Sequence, residues 1–115
     1  MAFNFKLAKY KNKKVLVNGI EFASQKEATR YWELWIMEQG GVIKDLRTQV
    51  KYQLVPPQKG ELRNERAVNY IADFVYWDNE KNKEVVEDTK GFKTKEYVIK
   101  RKLMKYIHGI EIVEI

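Results

Sequence analysis

Tyr70-Ile71-Ala72-Asp73-Phe74 and Val86-Glu87-Asp88-Thr89-Lys90-Gly91 decide how this chain folds. Each reads as a β-strand that carries acidic residues within or beside apolar ones. The polar stretch Asp78 to Lys83 between them suits a hairpin loop. With the loop centred between Glu80 and Lys81, Trp77 faces Glu84, Val75 faces Val86 and Asp73 faces Asp88. Opposed residues have Cβ atoms roughly 5 Å apart, so two carboxylates there repel unless a cation lies between them. Asp73 also lies amid Ile71, Phe74 and Val75, and a partly buried carboxylate needs a partner or a metal. Lys90 follows Asp88 by two residues, which puts both on one face of a strand and Glu87 on the other. Asp88 rather than Glu87 is therefore the candidate ligand; a one-residue slip or a bulge would reverse that choice. Two carboxylates and a lysine in one place suit metal-dependent phosphodiester cleavage. The plainer reading is a surface pair, Asp88 with Lys90, on an edge strand, with Asp73 at a strand end.

Outward from this hairpin, a longer strand spans about Ile43 to Val55 and stops at Pro56-Pro57. The next two strands cover about Arg66 to Trp77 and Glu84 to Lys90. Val15 to Phe22 reads as a small hairpin, because Asn18-Gly19 suits a type I′ turn. Ser24 caps a helix running to about Gln39, whose Ala28, Tyr31, Trp32, Trp35 and Ile36 recur at helical spacing and read as core. Gly40-Gly41 ends it. Thr94 caps a second helix to about Ile107, with Ile99, Leu103 and Tyr106 on one side; His108-Gly109 breaks it. Ile110 to Ile115 reads as a last strand, parallel to the third because a helix intervenes. The order is α-β-β-β-α-β.

The 115 residues suffice for one domain with a modest core, here 15–115, behind a basic arm at 1–14. A net charge of +6 suggests a polyanionic partner without proving one. The absence of cysteine excludes disulfides and thiolate metal sites and fits a reducing cytoplasm. The N-terminus lacks the apolar run of a signal peptide, and no stretch is long enough to span a bilayer, so no membrane role is expected.

Asp73 followed by Asp88-Thr89-Lys90, in this element order, resembles the PD-(D/E)xK nuclease superfamily. Ser24-x-x-Glu27-Ala28-x-x-Tyr31, the two segments above and Gly109-Ile110-Glu111-Ile112 look, more narrowly, like a group of small phage and prophage proteins placed there. Ala72 stands where the superfamily name implies Pro. The resemblance implies an α/β fold with a restriction-endonuclease-like core, a mixed central sheet flanked by helices. It implies a metal-dependent endonuclease acting on DNA, in particular branched or Holliday-junction DNA, as a homodimer, in the cytoplasm of a bacterial host if phage-encoded. Carried over residue by residue, Asp73 and Asp88 are metal ligands for Mg²⁺ or Mn²⁺, the Thr89 carbonyl a third, and Lys90 the catalytic lysine. Glu27 matches a first-helix glutamate that helps hold metal, and Gln49 a polar residue near the site. Ser24-x-x-Glu27 is equally a capping box, in which Glu27 bonds back to the Ser24 amide.

Lys93, Lys95, Lys100 and Arg101 crowd the segment after the acidic pair and are candidate DNA-phosphate contacts, as is Gln49 beside the site. A solvated helix face is the common meaning of such a run. Two other functions compete: a non-catalytic DNA-binding module on a nuclease fold, and a nicking or end-processing nuclease.

Overall fold

The computed structural model describes residues 5–7 and 14–115. Two sheets and two helices make up this part of the chain. The smaller sheet is antiparallel and contains β1 (Phe5–Leu7), β2 (Val15–Val17) and β3 (Ile20–Phe22), in that order. Most of the expected arm over 1–14 lies outside the described residues; within it, Phe5–Leu7 pairs with β2 as a strand. Asn18 and Gly19 join β2 to β3 with φ of 51° and 78°. Positive φ at both central residues is what a type I′ turn demands.

Helix α1 (Gln25–Gln39) begins at Ser24, whose hydroxyl accepts from the Glu27 amide at 3.2 Å. Its buried stripe is Glu27, Ala28, Tyr31 and Leu34. Trp32 and Ile36, expected in the core, are 41% and 44% exposed, because they lie a residue off that stripe. Phe22, Tyr31 and Phe74 form an aromatic cluster, with Phe22–Tyr31 centroids 5.0 Å apart and Tyr31–Phe74 6.4 Å apart. This cluster ties β3 and α1 to the main sheet one residue from Asp73, and so fixes where Glu27 sits.

The main sheet is mixed, in the order β4 (Ile43–Val55), β5 (Val68–Asp78), β6 (Lys83–Asp88), β7 (Val113–Glu114). β4, β5 and β6 are antiparallel neighbours, and β7 pairs in parallel with β6. The parallel return is made possible by α2 (Lys95–His108), which crosses from the end of β6 to β7. Thr94 caps its start through the Tyr97 amide, and Gly109 ends it in the left-handed conformation, φ 68°. Expected as a strand from Ile110 to Ile115, the last segment is extended and paired only at Val113–Glu114; Ile110 and Ile112 instead pack into the core. In α2 the buried residues are Tyr97 and Met104, whereas Ile99 and Tyr106, expected on the packed side, are 58% and 87% exposed.

The helices cover opposite faces of this sheet. Val85 joins the cluster against α1 and its neighbour Val86 the cluster against α2, as alternation along a strand requires. β5 changes face at its middle. Tyr70 and Ala72 pack on the α2 side but Phe74 and Tyr76 on the α1 side, although all four share one parity. Pairing with β4 steps from Thr48↔Phe74 to Val50↔Ala72, and Gln49 between them has φ 53°. A left-handed non-glycine residue inside a strand is uncommon. Gln49 and Asp73 thus meet where the sheet swaps its two faces. Among the described residues, no helix is long and apolar enough to cross a membrane.

Candidate functional site: an acidic cleft closed by Lys90

The hairpin register expected from the loop arithmetic is present: Trp77↔Glu84, Val75↔Val86 and Phe74↔Glu87 are paired. One residue beyond the last pair stand Asp73 and Asp88. Their surroundings differ sharply. Asp73 Oδ2 accepts two hydrogen bonds from Thr89, one from its amide at 2.9 Å and one from its hydroxyl at 2.8 Å. Asp88 is 1% exposed. Its Oδ2 accepts from the Tyr70 hydroxyl, while its Oδ1 is buried and accepts no hydrogen bond. Lys90 Nζ is 3.6 Å from that oxygen, an ion pair too long to be a hydrogen bond. Burial pushes the Asp88 carboxyl above the ordinary aspartate range; the Tyr70 hydroxyl opposes this, and the Asp73 charge adds to it.

β6 ends at Asp88, so Lys90 lies past the strand rather than on it. Its ammonium is nevertheless on the Asp88 side, 5.0 Å over the ring of Tyr97. That ring is itself held: its hydroxyl donates to Glu114 at 2.7 Å, and Arg101 donates to the same carboxylate at 3.0 Å. Lys90 therefore sits between a carboxylate and an aromatic face, both anchored by other elements.

Glu87 takes the opposite face. Arg30 of α1 grips it with two hydrogen bonds of 2.8 and 2.7 Å, and the Tyr76 hydroxyl donates to it as well. A fully partnered carboxylate of this kind serves structure. The pair also clamps α1 onto β6 one turn from Glu27 and one residue from Asp88.

Glu27 reaches the cleft from α1. Gln49 donates to its Oε1 at 3.2 Å. Its carboxyl is pushed up to about 7, chiefly by burial, then by the charges of Asp73 and Asp88; Lys90 and a hydrogen bond from the Ala23 backbone pull the other way. Ser24 caps the helix through the Glu27 amide, while the Glu27 carboxylate accepts from Gln49. An open cleft of about 630 Å³ brings together Glu27, Gln49, Asp73, Thr89 and Lys90, with Lys14 at its margin.

Gln49, a candidate DNA contact, instead bonds Glu27. Of the basic residues after the site, Lys93 and Arg101 both pair with Glu114, at 3.9 and 3.0 Å. Lys100 pairs with Glu96 at 3.2 Å along the helix, and Lys95 is exposed. Tyr70, Arg30 and Tyr76 have no role assigned from sequence. Tyr70 has a signal only in retrospect, as a polar-tipped aromatic in an apolar strand; its face depends on the switch at Asp73, which periodicity does not reveal.

The site's donors are carboxylate oxygens, the set that suits Mg²⁺ or Mn²⁺. A buried carboxylate oxygen without a hydrogen bond is the kind of group an ion satisfies. Among the described residues, no group of three His, Cys, Asp or Glu side chains stands assembled to hold a metal. The fit therefore rests on Asp73 and Asp88, with Glu27 in the same cleft as Asp73 and bonded to Gln49.

The fold and cleft define an α/β protein whose mixed sheet carries Asp73 within β5 and Asp88 at the end of β6, with Lys90 just past it. Residues 7–111 match the family described as a protein of unknown function, DUF1064, and the chain belongs to that family. No curated protein and no solved structure matches it.

Proposed function

We propose that this chain is a divalent-metal-dependent endodeoxyribonuclease on a restriction-endonuclease-like core, acting on branched DNA in the manner of a Holliday-junction resolvase. One observation carries the reading: the buried, unbonded Oδ1 of Asp88, facing Lys90 beside a second aspartate. A buried charged oxygen without a hydrogen bond costs more than ~1–3 kcal/mol of desolvation, and a catalytic role or a bound ion is among the reasons such a cost persists. The helix-flanked mixed sheet, with Asp73 within β5 and Asp88 at the end of the neighbouring β6, supports it further.

Asp73 and Asp88 would hold the ion, with the Thr89 carbonyl and Glu27 completing the set. When bound, Mg²⁺ or Mn²⁺ supplies an acidified water and polarises the scissile phosphate. The remaining work falls to side chains. Tyr70 fixes Asp88 through Oδ2 and leaves Oδ1 to Lys90, and Thr89 fixes Asp73. Lys90 offers a positive charge where negative charge grows on the phosphate, and Tyr97 keeps it there without neutralising it. Gln49 orients Glu27. Symmetric cutting of a junction needs two such sites, hence a homodimer.

The test is cleavage of labelled four-way junction, duplex and single-stranded DNA with Mg²⁺ or Mn²⁺, comparing the natural protein with Asp88→Asn. Metal-dependent cutting that disappears in the variant is expected, with the junction preferred. DNA binding without cutting of any substrate would overturn the enzymatic reading and leave a binding module.

A further inference from the structure

Lys90 is a wall between two clefts. On its far side from Glu27 lies a second one, of about 320 Å³, and Lys90 lines both. We infer that this second cleft takes a single unpaired nucleotide of the DNA strand, next to the phosphate being cut. The inference rests on the nuclease reading and names the substrate class of the same site.

The chemistry of the walls fits one nucleotide. Lys100 brings a second cation to the lining that also holds Lys90, Tyr70 and Tyr97; its ion-pair partner Glu96, 3.2 Å away, lines the cleft as well. Asn69 lends an amide, which both donates and accepts, as the edge of a base requires. The Thr94 hydroxyl accepts from the Tyr97 amide and keeps its own proton to donate outward. Ile71 supplies an apolar surface: it is 51% exposed in the second strand of the main sheet, two residues from Asp73. Isolated exposed side chains of this kind are ordinary on a surface. Here Ile71 borders a polar cleft that shares Lys90 with the acidic pair. Two cations for phosphate, one of them shared with Glu96, one amide for a base edge and one apolar face for a ring suit a nucleotide.

The size of the cleft suits one unstacked nucleotide. The cleft lies at the low end of small-ligand pockets, about 300–1,000 Å³. A base can enter only by leaving its partner and its stack, a step that costs least where the nucleotide is already unpaired or strained. A strand crossing from the acidic cleft over Lys90 would therefore have its next nucleotide peeled away. Branch points, flaps and junction crossovers supply such nucleotides; continuous duplex does not.

The test compares two synthetic DNAs of the same sequence around the cut, one a continuous duplex and one branched into a flap there, with Mg²⁺ or Mn²⁺. The natural protein should cut the flap with kcat/KM at least about ten-fold higher, equivalent to ~1.4 kcal/mol. In Asn69→Ala/Ile71→Ala the ratio should fall to within about two-fold, mainly through KM on the flap. Both replaced side chains border the cleft surface, and circular dichroism checks that the variant folds. Equal cutting of flap and duplex by the natural protein overturns the inference but leaves the nuclease reading standing, and so does a variant that keeps the preference. If the natural protein cuts neither DNA but cuts a four-way junction, the inference falls and the nuclease reading stands; if it cuts none of the three, both fall together.

Discussion

Glu27→Gln should make the metal-free protein more stable at about pH 8 and leave it unchanged at about pH 4. The Glu27 carboxyl is raised in the folded state, so folding favours its protonated form. Below its unfolded value the group is neutral in both states and imposes no cost. As pH rises through the folded value, the folded protein must carry a buried carboxylate beside two aspartates, and stability is lost progressively between 4.5 and about 7. At about 1.36 kcal/mol per pH unit, that interval of 2.5 bounds the cost at ~3.4 kcal/mol. The side chain borders an open cleft, where water screens part of the repulsion, so about half, ~1.5–2 kcal/mol, is the expected gain. Glutamine keeps the oxygen that accepts from Gln49 and sheds only the charge. Urea unfolding at the two pH values, with chelator present, measures the difference. Added Mg²⁺ should then stabilise the natural protein more than the variant, by mass action on the folded state. A small loss of about 0.5–1 kcal/mol at both pH values would show that Glu27 is only a helix cap and would refute the shared-charge argument.

Three further outcomes are expected. Arg30→Met leaves Glu87 buried with only the Tyr76 hydroxyl, and unfolding should be easier by about 3–5 kcal/mol; a loss below ~1 kcal/mol would mean that the pair is not buried in solution. Lys90→Ala should lower the cleavage rate by about 10²-fold with little change in DNA affinity, because Lys90 is one cation among many for binding but the one beside Asp88 for chemistry. Equal loss of rate and affinity would sink its catalytic assignment. Lys100→Gln should weaken DNA binding for all sequences alike and reduce the salt slope by about 1, read from binding isotherms across salt concentrations; an unchanged slope would remove Lys100 from the phosphate path.

Local chemistry was readable wherever it is decided by neighbours in sequence. Asn18-Gly19 imposes its turn through two left-handed residues, and Ser24, Thr94 and Gly109 impose the helix ends through single backbone partners. The loop between the two middle strands set their register, because hairpin pairing counts outward from its centre, and the register sent Asp88 and Glu87 to opposite faces. Which residues of a helix are buried was less readable. Ile99 and Tyr106 satisfy helical spacing as well as Tyr97 and Met104 do, and only the angle at which the helix meets the sheet chooses between them.

The tertiary structure alone decided the rest of the site, since its contacts join residues far apart in sequence. Nothing near Glu87 in the chain announces Arg30, and nothing near Lys90 announces the Tyr97 ring with its Glu114 and Arg101 supports. The face switch at Gln49 and Asp73 breaks the period-of-two rule on which strand reading depends, and it carries Tyr70 to Asp88. The sequence by itself determined which residues bear the charge and that two aspartates meet. Only packing between elements determined that one of those aspartates keeps a buried oxygen without a hydrogen bond, beside Lys90, because burial and pairing are properties of the assembled chain.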